Sequence, residues 1–212
     1  MKTTMFAMAA VMAALALGAC ESGQKADTTK RVADRIEDVR KSLLAGQGKL
    51  AEVMASLDTL ASGTGNQRDA YVAYTKQVHD LEGLAKKVSS RNADLKARRE
   101  QYVQQWQMDA QAVQNEQVKE QMQKRVAAVQ SRFDEMRAAA EAVAEAYKPL
   151  IADLKDIELA LKNDLTPAGV AALKPAMDKA KEEGADLDKA LTALVKEFEK
   201  VEAELRPMVV QQ

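Results

Sequence analysis

Few residues in this chain have types and spacing that could do chemistry. Cys20 is the only thiol and His79 the only imidazole. The carboxylates gather in two runs, Asp153/Asp156/Glu158 and Glu182/Glu183 with Asp186/Asp188. A thiol can be acylated, and an imidazole can move a proton near neutral pH. Paired carboxylates can hold a metal or act as general acid and base. His79, however, has no Cys, Ser or carboxylate constellation near it in sequence, and it is expected as a rim residue rather than a catalytic one. A di-metal bundle needs inward-facing Glu-x-x-His motifs on two helices, and one His cannot supply both. The acidic runs are interleaved with Lys155, Lys179, Lys181 and Lys189, and they read as solvated helix faces laced with i,i+4 pairs. Glycine-rich phosphate loops and nucleophile elbows are lacking from the sequence. The expectation is a protein that is not an enzyme and that needs no cofactor or metal.

Cys20 stands in a specific setting. One basic residue, Lys2, precedes Met5 to Leu17, a run without a polar side chain. That is the layout of a secretory signal, and the run is shorter than the about 20 residues a permanent span requires. It ends in Leu17-Gly18-Ala19-Cys20, which resembles the lipobox of bacterial lipoproteins. Small residues let the segment enter a protease site, and the Cys sulfur can form a thioether to diacylglycerol. A lone Cys in an exported chain would otherwise be a free thiol. The expected product is a lipoprotein held on a membrane through Cys20 by more than one acyl chain, enough for stable attachment. The competing readings are an ordinary signal peptide cut near Ala19 and a cytosolic coiled coil. By the sorting rule the lipobox resemblance implies, Glu21 favours the outer membrane over the inner, facing the periplasm.

What must position any further site is helical. Charged residues make up 30% and aromatic residues 4%, the balance of long helices rather than sheets. The formal net charge of -1 provides no field for nucleic acid, which is not an expected partner. Residues 20–29 are small and polar and read as a flexible tether. Beyond them apolar residues recur at alternating steps of three and four. The first stripe runs from Val32 through Ile36, Val39 and Leu43 to Leu60, interrupted by Gly46. After the stop at Ser62-Gly63-Thr64-Gly65, Asn66 caps a second helix whose stripe leads from Tyr71 and Tyr74 to Tyr102 and Trp106, with polar Asn92 and Arg99 in its later half. Asn115 caps a third, whose stripe from Met122 to Leu161 is apolar throughout, with a kink expected at Pro149. Thr166 and Pro167 open a last helix, bent by Pro175, carrying Gly184 on its stripe and ended by Pro207. Gly46 and Gly184 are expected to let neighbouring helices approach closely.

A sustained 3.5-residue period and short connections predict an all-α fold, an elongated antiparallel up-down-up-down four-helix bundle with coiled-coil packing. Its parts are a signal peptide over 1–19, the tether over 20–29, the bundle over 30–207 and a tail over 208–212. A first helix of about 33 residues, roughly 50 Å long, is expected to run out opposite Arg99. That places the lipid on the side of the tip formed by the turn at Asn115. Trp106, Met108 and Asn115 are therefore candidate residues for a membrane-facing or partner-facing tip, with core packing as the alternative for Trp106.

The segments Arg31 to Arg40, Tyr102 to Trp106, Pro149 to Ile157 and Asp164 to Val170 resemble a bacterial family known as a domain of unknown function, DUF2959. The resemblance implies a helical lipoprotein and carries over no catalytic residue.

The leading expectation is a non-enzymatic, envelope-anchored lipoprotein acting as scaffold or interaction module, with an unidentified protein partner. Self-association through the same faces is compatible with it. The alternative is a carrier or sensor for a lipid or other apolar ligand. A scaffold predicts a narrow, continuous apolar seam, whereas a carrier predicts a sizeable apolar cavity.

Overall fold

The computed structural model describes residues 15–209, and the side chains of residues 29–205 within them. Only helices and their connections occur among the described residues: α1 (Leu15–Ser62), α2 (Gln67–Ala112), α3 (Glu116–Asn163), α4 (Pro167–Ala172) and α5 (Lys174–Val209). The all-α class is as expected. At 1.5 Å per residue, α2 with its 46 residues is about 69 Å long.

The caps form where side-chain oxygens are available. Asn66 Oδ1 accepts from the amides of Arg68 and Asp69, and Asn115 Oδ1 from those of Gln117 and Val118. Thr166 Oγ1 accepts from the Gly169 amide, while Asp164 accepts from Thr166 at 2.7 Å. That last contact holds the Asp164 carboxyl below the usual carboxylate range. Gly63 and Gly65 both take positive φ at the α1–α2 turn, a conformation other residues resist.

Each long helix packs on two others: α1 on α2 and α5, and α3 on α5 and α2, with α2–α3 the loosest of these pairs. Polar contacts across the seams set the register. Arg35 meets Asp94 at 3.0 Å and Lys49 meets Asp80 at 3.7 Å, so α1 and α2 run antiparallel. Lys179 on Asp153 and Arg125 on Glu204 do the same for α5 and α3. Arg40 on Glu202 and Lys181 on Asp58 align α1 with α5. The stripes form the core, with Ile36, Val53, Leu57, Tyr74, Leu150, Leu154, Met177 and Leu205 fully buried.

Four expectations about the helices are corrected. The backbone of α1 is helical from Leu15, so it runs through the segment read as a tether and does not run out at Arg99. Residues 20–29 hold no proline, and their weak helix formers cost tenths of a kcal/mol each, Gly23 about 1 kcal/mol, once a helix is propagating. Buried Thr29 lies beside Tyr102, which continues the antiparallel register. At the other end α5 passes Pro207 and ends at Val209, because a proline there removes one backbone bond of an already formed helix. The last helix is also divided rather than bent. α4 stops at Leu173, whose amide bonds back to Gly169 and Val170, and Pro175 falls in the first turn of α5. Gly46 is the fourth, and it belongs to the site. Pro149 lies inside a continuous α3.

Candidate functional site: an apolar cavity between α2 and α3

The stripes are not uniformly buried. Above and below the middle of the bundle Tyr74, Val78, Leu95 and Tyr102 of α2 and Phe133, Met136, Leu150 and Leu154 of α3 are buried, but at mid-height Ala85, Val88 and Asn92 of α2 and Ala140, Val143 and Tyr147 of α3 are only half-buried. Here the four long helices enclose a cavity of about 490 Å³. Its floor consists of buried side chains of α1 and α5, among them Val39, Leu43, Leu187, Leu191 and Phe198. Its walls belong to α2 and α3, and the exposed members of the lining, Lys86, Ser89, Ala144 and Lys148, all lie on those two helices. The mouth therefore opens between α2 and α3.

The cavity has a local cause. Gly46 replaces an apolar side chain on the α1 stripe, and a Cβ built there would meet nothing within 4 Å. The expected close helix approach is absent at Gly46, which faces space instead. At Gly184 the approach is real: a Cβ would lie 2.6 Å from Met54 Sδ. Alanines at 85 and 140 leave the facing helices equally short of volume.

Polar bonds pin α2 to α3 on either side of the mouth. Towards the loop at 62–66, Tyr74 Oη donates to the Leu154 carbonyl at 2.7 Å and Lys155 pairs with Glu82 at 2.5 Å. Burial pushes the Tyr74 phenol up strongly. Towards the tip, Arg99 Nη1 donates to the Phe133 carbonyl at 3.1 Å and its guanidinium stacks 5.5 Å over the Phe133 ring. Burial lowers the Arg99 pKa, and these contacts explain why a polar residue is tolerated on the stripe. Asn92, the other polar interruption, lines the cavity.

Tyr147 is the polar feature of the wall. Burial, with the Glu82 charge adding, pushes its phenol from 10.0 to about 12. Its hydroxyl has no hydrogen-bond partner among the described residues. At the rim Glu82 is neutralised by Lys155, and Lys148 pairs with Glu145 at 2.6 Å. Lys86 is without an ion-pair partner among the described residues.

The other candidates are dispersed. His79 lies outside the cavity, exposed, with Nε2 3.6 Å from Glu158. The acidic runs are ion-paired in part, both across helices and within them: Asp153 holds Lys179 of α5, Glu183 holds the same Lys179 at i,i+4, and Asp186 holds Lys189 within its own helix. Among the described residues, no group of three or more His, Cys, Asp or Glu could hold a metal ion. Trp106 is half-buried against the core, tilted on Tyr102 at 5.6 Å between centroids. Met108 is 64% exposed, and Asn115 is committed to its cap. Beside Trp106, a shallow, open depression involves Val118, Met122 and Arg125. The side chains of Cys20 and of Leu17, Gly18 and Ala19 lie outside the described residues, as does the chain before Leu15. No helix among the described residues is long and apolar enough to cross a membrane.

Fold and site together define a class: long-helix bundles with an apolar cavity open on one side. The chain belongs to the family of proteins of unknown function DUF2959, whose profile matches residues 21–209. No curated protein and no solved structure matches it.

Missing from the sequence reading were Gly46 as cavity former, Ala85, Ala140, Tyr147 and Lys86. The signal was available. The short connections set an antiparallel register, and that register brings Gly46, Ala85 and Ala140 close to one height.

Proposed function

We propose that this protein is a membrane-tethered, non-catalytic binding protein that accommodates an apolar ligand inside its bundle. The half-enclosed cavity of about 490 Å³ carries the reading, since ligand sites are concave, mostly apolar and 300–1,000 Å³ in size. A scaffold that works through its outer faces has no use for a hollow core, which forgoes packing contacts. The carrier expectation is thereby favoured over the scaffold expectation. Protein purified from its native host and extracted into organic solvent should release a stoichiometric apolar compound detected by mass spectrometry. Extracts no different from those of a solid helical bundle would remove the reading.

Anchoring belongs to the same proposal and is supported by Leu17-Gly18-Ala19-Cys20 behind an apolar run. The lipid would sit on Cys20, in the bacterial envelope facing the periplasm, with the outer membrane favoured. The helical backbone of α1 points this end towards the tip with Trp106 and Met108, which would then face the bilayer. Metabolic labelling with palmitate should mark the wild type and not Cys20→Ala, and globomycin should block processing.

A second reading, an interaction module for a protein partner or for a second copy of the chain, is favoured by Val72 and Leu159, apolar side chains 60% and 59% exposed. Cross-linking in cells with a probe at Val72 tests it.

A further inference from the structure

We infer that the cavity binds a single-chain anionic amphiphile, its aliphatic chain lying along the bundle and its acidic headgroup at the α2–α3 mouth on Lys86. The inference rests on the cavity reading above and adds the chemical class of the ligand.

Shape comes first. The lining spans residues 81–92 of α2 and 140–151 of α3, about 17 Å of helix on each side at 1.5 Å per residue. A slot that is long, narrow and walled by helices suits one extended chain better than a fused-ring compound. Each methylene buried there is favourable by about 0.8 kcal/mol, so affinity would grow with chain length.

Charge decides the headgroup. Three charged side chains line the mouth, Glu82, Lys86 and Lys148. Glu82 with Lys155 and Glu145 with Lys148 form two neutral pairs, and Lys86 is left over. The rim thus carries one net positive charge beside an apolar opening. A carboxylate or phosphate monoester complements it, while a cationic head is repelled. Tyr147, whose hydroxyl is a donor without a partner among the described residues, offers the head or an upper chain oxygen a hydrogen bond from the wall. The mouth opens sideways along the bundle, so the chain can enter laterally without the helix ends separating.

The test uses the mature chain from residue 20 carrying Cys20→Ala, so that neither apolar leader nor lipid is attached, and three probes of equal chain length: dodecanoate, dodecanol and dodecyltrimethylammonium. Isothermal titration should give one dodecanoate per chain, with the neutral and cationic probes at least about tenfold weaker, the least one charge-assisted hydrogen bond contributes. Gly46→Leu fills open space, so it should fold, melt higher than the parent and lose dodecanoate. Lys86→Gln, on the surface, should weaken dodecanoate about tenfold and leave dodecanol unchanged. Dodecanol or the cationic probe binding as well as dodecanoate would overturn the anionic assignment while the cavity reading stands. If no probe binds the parent, or if binding survives Gly46→Leu, the cavity reading falls and this inference with it.

Discussion

Gly46 and Gly184 hold equivalent places on the stripes of α1 and α5, yet the space around them is opposite. A Cβ at 46 enters the cavity, whereas one at 184 meets Met54. Gly46→Ala should therefore stabilise by about 1 kcal/mol, the helix-interior cost of glycine, and raise Tm in a thermal melt by a few degrees. Gly184→Leu should cost about 1–3 kcal/mol by overpacking, read as a lower urea midpoint at unchanged slope. Tyr147 supplies a prediction in pH. Its phenol is raised in the folded state from 10.0 to about 12, so the folded chain keeps a proton that the unfolded chain gives up. Its contribution is complete below the unfolded value and is lost as pH rises through the folded one. Tyr147→Phe should accordingly lose less stability than the parent between pH 8 and pH 11.5 in denaturant titrations, and an equal loss would contradict the assignment.

At the scale of elements, capping decides where three helices start, α2, α3 and α4, and each cap was legible as an Asn or Thr at the head of its run. Asn115→Ala removes the acceptor for two amides at the tip and should cost about 1 kcal/mol, measured by chemical denaturation. What α1 and α5 do at their ends was less legible. Local composition at 20–29 and at Pro207 argues for a stop, but a propagating helix needs only that no backbone clash forbids the next turn. The division at Leu173 is of the same kind. Pro167 and Pro175 stand eight residues apart, and only the geometry shows that the chain turns between them rather than bending once.

Across the whole molecule, α2 and α3 are held apart in the middle and fastened on both sides, by Tyr74 and Lys155 on one and Arg99 on the other. Such a gap can widen without loss of the bundle. If ligand entry needs that widening, amide exchange in residues 83–98 and 137–150 should be faster than in α1 and should slow on addition of dodecanoate. Equal protection in all four long helices would speak against a lateral mouth. Orientation is testable at the same scale. With Cys20 acylated, a fluorophore on Gln114→Cys should be quenched by lipid-borne quenchers, and one on Gly65→Cys at the opposite end should not. Quenching at both ends or at neither would undo the tip-down arrangement.

By itself the sequence determined the long helices, their order, the caps of α2, α3 and α4 and the stripe that becomes the core, because periodicity and capping are local properties of a chain. It also singled out Cys20 as a candidate, since the resemblance to a lipobox lies in a linear segment. The cavity was decided by the tertiary structure. Gly46, Ala85, Ala140 and Tyr147 are unremarkable one at a time, each an ordinary residue on its own helix. Only when antiparallel packing brings them to one height does the missing volume add up to a single space. The unmatched charge on Lys86 has the same origin, because the pairing of Glu82 with Lys155 joins two helices and cannot be read along either one.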